Sequence, residues 1–225
     1  MRNAKGMSER SASLSSRFSY EENGFNRSLS FFDAICGFAA TLLVTNIELP
    51  PPSAWVSVGS LLASGVGDQL LAFTISFVVI AVFWWAGVKQ AQTFNATTGV
   101  ITASTLLTAG LIILLPFTTQ GISDPEFDYL PLPTALYSLN VALAALSQIL
   151  TGYLARRAGV ISHPVSPRVY RIQFLDALTT PLYFLLTVPV AFLVGANTAQ
   201  LLWLGLIIVG PASAQLARRA IRKAH

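Results

Sequence analysis

Thr41, Thr45 and Glu48 follow one another at helical spacing within "RSLSFFDAICGFAATLLVTNIELP", residues 27–50, with Phe38 a turn before them and Asp33 earlier still. Those residue types point to one chemistry. Hydroxyl oxygens can replace a cation's hydration water, a carboxylate gathers positive ions, and an aromatic ring narrows and dries the path. At about 100° per residue, Phe31, Ala34, Phe38, Thr41, Thr45 and Glu48 share one stripe of a helix, bordered by Leu42, while Asp33 lies roughly 140° from Phe38. The aspartate and the threonines therefore cannot share a face, and Asp33 is expected to point behind the stripe into neighbouring helices. Two readings of the threonines stand side by side: a lining for monovalent cations, or hydroxyls bonded back to their own helix carbonyls and inert. A single helix cannot enclose a pore, so a cation path on this stripe requires several copies around an axis, a homo-oligomer.

Other chemistries find no support. The two histidines, His163 and His225, are far apart, in a loop and at the last residue, so no metal site is expected. No histidine or lysine lies inside an apolar run to activate a nucleophile, which argues against an intramembrane protease or a lipid-modifying enzyme. A glycine-rich phosphate loop is absent, and one cysteine, Cys36, allows no intramolecular disulfide. The chain is expected to be no enzyme and to carry no cofactor.

The elements that must hold these residues follow from composition. Of 225 residues, 53% are hydrophobic and 11% charged, against about a quarter charged in soluble proteins. Beyond a polar, Ser-rich beginning, the chain divides into apolar runs of about twenty residues, the length that crosses roughly 30 Å of hydrocarbon. The expected spans are Phe31–Leu49, Leu70–Val88, Thr98–Thr118, Leu132–Leu154, Ile172–Val194 and Ala199–Ala217. "PPPSAWVSVGS", "GISDPEFDYLPLP", "AGVISHPVSP" and "GANTAQ" separate them with turn residues. The stretch "AWVSVGSLLASGVGD" reads as an interfacial loop or short helix, and Pro181 and Pro189 imply a kinked fifth span. The fold class is thus all-α, an integral membrane protein with six transmembrane helices per protomer.

Charge orients the spans, because Lys and Arg in short loops stay on the cytoplasmic side. All 14 Lys and Arg residues fall on one side of the six-span arrangement, before span one, after span two, between spans four and five and after span six. The opposite loops hold Glu48, Asp68, Asp124, Glu126 and Asp128. A cell-membrane, multi-pass protein with both termini cytoplasmic is expected. Residues 1–26 read as a disordered cytoplasmic arm without the apolar region of a secretory signal, 27–219 as the six-helix domain, and 220–225 as a basic tail. The net charge of +4 is a topology signal that also brings the tail near membrane lipid; it lacks the aromatic interleaving of a nucleic-acid surface. Asp176, at the start of span five, is expected to pair with Arg171 or to cap the helix.

Arg27, Phe31, Phe32 and Asp33 in "RSLSFFDA" resemble the Arg-x-x-x-Phe-Ser-Asp signature that opens the first helix of the transmembrane protein 175 family of potassium channels. The resemblance continues through "FAATLLVTNIELP", "SFVVIAVFWWAGVKQAQTF" and "LLPFTT", and weakens beyond. It implies a tetramer of six-helix units with the first helices around the pore, a bulky apolar constriction at Phe38, and a selectivity hydroxyl at Thr41. Arg27 and Asp33 would hold the first helix in a polar network behind the pore. A Thr-Val-Gly-Tyr-Gly filter of stacked carbonyls is absent.

Three departures from that family stand out. Phe32 replaces the middle Ser of the signature, Gly87 and Val88 stand near the place of a His pair after Trp84 and Trp85, and Phe38 is bulkier than the usual Ile or Leu. The function expected is a potassium-permeable, modestly selective cation channel with passive conduction. A proton-coupled secondary transporter and a non-conducting membrane scaffold are the alternatives.

Overall fold

The computed structural model describes residues 27–124, 127 and 129–222. The arm 1–26, Glu126, Asp128 and residues 223–225 lie outside them. Among the described residues, six helices are long and apolar enough to cross a membrane: α1 (Arg27–Asn46), α2 (Val58–Ala91), α3 (Gly99–Ser123), α4 (Pro131–Arg157), α5 (Pro167–Leu193) and α6 (Ala196–Arg222). The fold is all-α, and extended pairing among the described residues is confined to an isolated bridge between Phe94 and Ile161.

Local chemistry sets the helix ends. The Thr98 hydroxyl accepts from the Ile101 N–H and the Ser166 hydroxyl from the Val169 N–H, capping α3 and α5. Pro131 and Pro167 open α4 and α5 at the first helical position, where a missing N–H costs nothing. Gly159 and Gly195, at φ +70° and +126°, end α4 and α5 in a conformation that side chains oppose. α1 tightens into a 3-10 turn over Leu43–Asn46 before Pro50 stops it.

The structure adds detail to three expectations. Of the loop or short helix expected before the second span, the structure has the helix: helical turns at Val58–Leu61 and a wide π turn at Leu62–Val66 run into the 25-residue remainder of α2. Gly65, at φ +88°, bends the chain there without breaking it, which only a residue lacking Cβ does cheaply. Span one begins at Arg27, and α5 continues helically through both Pro181 and Pro189.

α4 is the centre of the protomer. Within its most apolar stretch 56% of residues are buried, against 22% for α1 and 12% for α6. Ala142 and Ala144 are fully buried on α4 and let neighbours approach closely, the packing that substitutes for a hydrophobic drive in lipid. Buried hydroxyls then join the helices. Ser76 on α2 donates to the Tyr137 hydroxyl at 3.1 Å and lies 2.7 Å from Thr119 on α3. Thr187 on α5 donates to Ser138 at 2.9 Å and accepts from the Trp203 indole at 3.3 Å. Ser104 and Thr108 on α3 sit 2.8 Å from Thr151 and Ser147 on α4. α1 docks on this body by one edge, burying Phe32, Cys36, Ala39 and Leu43 in a cluster with Ile80, Phe83, Ile112 and Leu115.

At the end of the molecule where α2 and α4 finish, two loops are pinned together. Asn95 N–H donates to the Val160 carbonyl, and Ser162 N–H to the Thr93 carbonyl, both at 2.9 Å. Arg156 fixes the same region, donating from two guanidinium nitrogens to the Val165 carbonyl at 3.2 Å while lying over the Tyr170 ring.

Candidate functional site

The buried edge of α1 decides what the helix leaves open. Phe31, Ala34, Phe38, Thr41, Leu42, Thr45 and Glu48 are all exposed on the protomer. Phe38 stands out furthest among them in the apolar part, at 65% exposure. The stripe that carries the aromatic ring, the hydroxyls and the carboxylate is therefore covered by nothing else in the chain's described residues.

Both threonine hydroxyls bond back along their own helix. Thr41 Oγ1 donates to the Phe38 carbonyl at 2.8 Å and Thr45 Oγ1 to the Leu42 carbonyl at 2.7 Å. The two readings from the sequence are compatible in this arrangement. Each hydroxyl spends its single proton on the backbone, and its oxygen keeps lone pairs free to turn outward. A row of such oxygens accepts from water or coordinates a cation and donates to neither.

Asp33 lies at the flank of the buried edge. Its Oδ1 accepts from the Trp84 indole N–H of α2 at 2.9 Å. Among the described residues neither Arg27 nor Arg171 makes an ion pair, so Asp33 is held by Trp84 and the half-buried Asp176 has no hydrogen-bond partner. Trp84 was not singled out as this partner by the sequence. The usable signal is that an indole N–H in an apolar helix needs an acceptor, and a carboxylate in the neighbouring span provides one.

The other end of α1 is tied down as well. Asn46 donates from Nδ2 to the Pro116 carbonyl at 2.6 Å, and the Glu48 N–H donates to Gln69 Oε1 at 3.0 Å. These bonds hold α1 to α3 and α2 and leave the Glu48 side chain exposed beside a small polar cleft shared with Gln120, Ser123 and Asp124. Asn46 and Gln69 escaped the sequence reading because their partners lie about 70 and 20 residues away along the chain.

Phe32 and Gly87, two of the departures, meet. The Phe32 ring is buried at 3% exposure and sits over Gly87, where a Cβ would stand 2.7 Å from its Cε1. The larger residue on α1 occupies the room that the smaller residue on α2 leaves. No group of three or more His, Cys, Asp or Glu side chains that could hold a metal ion occurs among the described residues.

Residues 27–116 match the model of the endosomal/lysosomal potassium channel TMEM175 family. A protein named as a potassium channel, from Chryseobacterium sp. (strain P1-3), is 24% identical over 118 residues. That alignment takes in 52% of this chain and 58% of the relative, so the likeness spans little more than half of either. The structure is also similar to the crystal structure of a lysosomal potassium-selective channel TMEM175 homologue from Chamaesiphon minutus, with a TM-score of 0.65 and 18% identity, over 87% of this chain and 98% of that one. At that identity the likeness speaks for the fold. Over residues 27–116 the chain is thus similar in sequence to the TMEM175 family, and the six-helix membrane fold around them is similar to that of a TMEM175 homologue.

Proposed function

We propose that the protein is a potassium-permeable, modestly selective cation channel that conducts passively through a path lined by α1, with Phe38 as its constriction. The observation that carries this reading is the open stripe of α1, whose threonines keep their oxygens free while their protons are bound to the backbone. Four α1 helices around an axis would bring four Phe38 rings together, with Leu42, Thr41 and Thr45 next along the path and Glu48 at its outer mouth. The similarity to proteins named as potassium channels supports potassium as the permeant ion, and the tetramer is the assembly that the family resemblance implies. The segregation of basic residues supports placing both termini in the cytoplasm, with Glu48 facing outward. Neither membrane aspartate favours proton-coupled transport, since both lie near the basic end of their helices, away from the midplane where transporter sites are built.

The test is potassium flux into liposomes containing the purified protein, with sodium and an impermeant organic cation as comparisons and a cross-linking ladder for the number of subunits. Passive potassium entry that persists without a proton gradient is the expected result. Uptake that collapses when the proton gradient is removed would assign the protein to coupled transport instead.

Thr41→Val tests the lining. Valine keeps the shape and removes the oxygen, so the preference for potassium over sodium should fall by a factor of about three, equivalent to about 0.7 kcal/mol. Unchanged reversal potentials in mixed potassium and sodium would remove Thr41 from the selectivity path.

A further inference from the structure

Phe32 and Gly87 lie behind the open stripe, where α1 meets α2. Resting on the channel reading above, we propose that the Phe32 ring seated on Gly87 sets the distance of α1 from the protomer body, and thereby the aperture at Phe38. Phe32 and Gly87 are positioning residues in this sense and touch no ion.

Three observations carry the proposal. A Cβ at Gly87 would stand 2.7 Å from Phe32 Cε1 and 3.2 Å from Cζ, so the ring rests on bare backbone and any side chain there must move it. The same Cβ would stand 3.5 Å from Gln148 Nε2. That amide is held in place, because Gln148 Nε2 donates to the Phe83 carbonyl at 3.1 Å and Gln90 Nε2 donates to the Gln148 carbonyl at 3.0 Å. Gly87 is thus the point where α1 and α4 both press on α2. Finally, Asp33 is bonded to Trp84, one helical turn before Gly87 on α2. The seat and the hydrogen bond form adjacent clamps just over a turn before Phe38.

Direction follows from helical phase. At about 100° per residue, the buried edge of α1 through Phe32, Cys36, Ala39 and Leu43 lies roughly 160° from the centre of the open stripe. Pushing α1 off α2 at residue 32 therefore drives the stripe toward the pore axis. A shorter side chain at 32 lets it retreat. The ring has one escape, a cavity bounded by Leu29, Gln90, Thr97 and Gln148 beside it. If it rotates into that space, α1 stays where it is.

The experiment is a double-mutant cycle of Gly87→Ala and Phe32→Leu in proteoliposomes, with Phe38→Ala as a separate control. Alanine favours a helix interior over glycine, so Gly87→Ala removes no helical stability of its own. Gly87→Ala should lower potassium flux about fivefold, Phe32→Leu should raise it, and the double variant should return to within about twofold of the parent, the non-additivity of residues in contact. Unaltered flux in Gly87→Ala, as when the ring escapes into the cavity, overturns the proposal. So does a loss that Phe32→Leu fails to rescue, since that would be a structural effect of the new methyl alone. Silence of both the parent and Phe38→Ala overturns the channel reading, and the seat with it, whereas flux that responds to Phe38→Ala and ignores Gly87→Ala overturns the seat by itself.

Discussion

Phe38→Ala raises passive potassium flux by about tenfold or more, because each tenfold in rate requires a barrier lowered by only about 1.4 kcal/mol. The ring is 65% exposed on the protomer and belongs to no core cluster, so the folded unit loses little with it. Its energetic effect falls on the path. In the proposed tetramer a ring of four aromatic side chains would give a permeating ion no polar partner and favour expulsion of water, which is the means by which an apolar constriction gates. Alanine removes the ring from every copy at once, and water can then accompany the ion past the level of Thr41. Selectivity should fall as flux rises, since a hydrated ion is less exposed to the lining oxygens. Flux assays should be paired with thermal unfolding in detergent. An unchanged midpoint with raised flux places the pore on this stripe, and unchanged flux in folded, oligomeric protein removes Phe38 from the constriction.

Trp84→Phe should destabilise the protein more than Asp33→Asn, although both touch the same hydrogen bond. Phenylalanine keeps an aromatic ring and deletes the donor, leaving the Asp33 carboxylate without the indole that now stands 2.9 Å away. A hydrogen bond to a charged group is worth about 1.5–3 kcal/mol before solvent screening, more than most neutral ones, and Asp33 is exposed on the protomer. Asparagine keeps a carbonyl oxygen where Oδ1 stands and can still accept from the indole. The two single variants should therefore separate clearly in thermal midpoint and in the fraction of intact oligomer, with Trp84→Phe the worse. Equal or reversed midpoints would mean that Trp84 is not what holds Asp33 in place.

Much of the architecture is already legible in local composition. Six apolar runs and the one-sided placement of Lys and Arg depend only on length and charge, which the bilayer reads segment by segment. The phase of α1 is legible for a similar reason. A helix turns by a fixed angle per residue, so the separation of Asp33 from Phe38, Thr41 and Thr45 follows from numbering alone. The extension of α2 back to Val58 was less so, because a glycine-rich stretch reads equally as a loop until Gly65 is seen to take a positive φ within continuing helical turns.

The identities of the partners were settled only by the tertiary structure. In lipid an apolar side chain gains nothing by facing inward, so hydropathy does not distinguish the edge of α1 that docks from the edge that stays open. Small residues and isolated polar groups from distant parts of the chain make that choice. Ala142 and Ala144 put α4 at the centre, the Trp84 indole finds Asp33 across 51 residues, and Asn46 reaches Pro116 across 70. Phe32 and Gly87 are the plainest case. Each alone reads as a departure from the family pattern that the first helices resemble, and only their contact in space shows one side chain filling what the other leaves out.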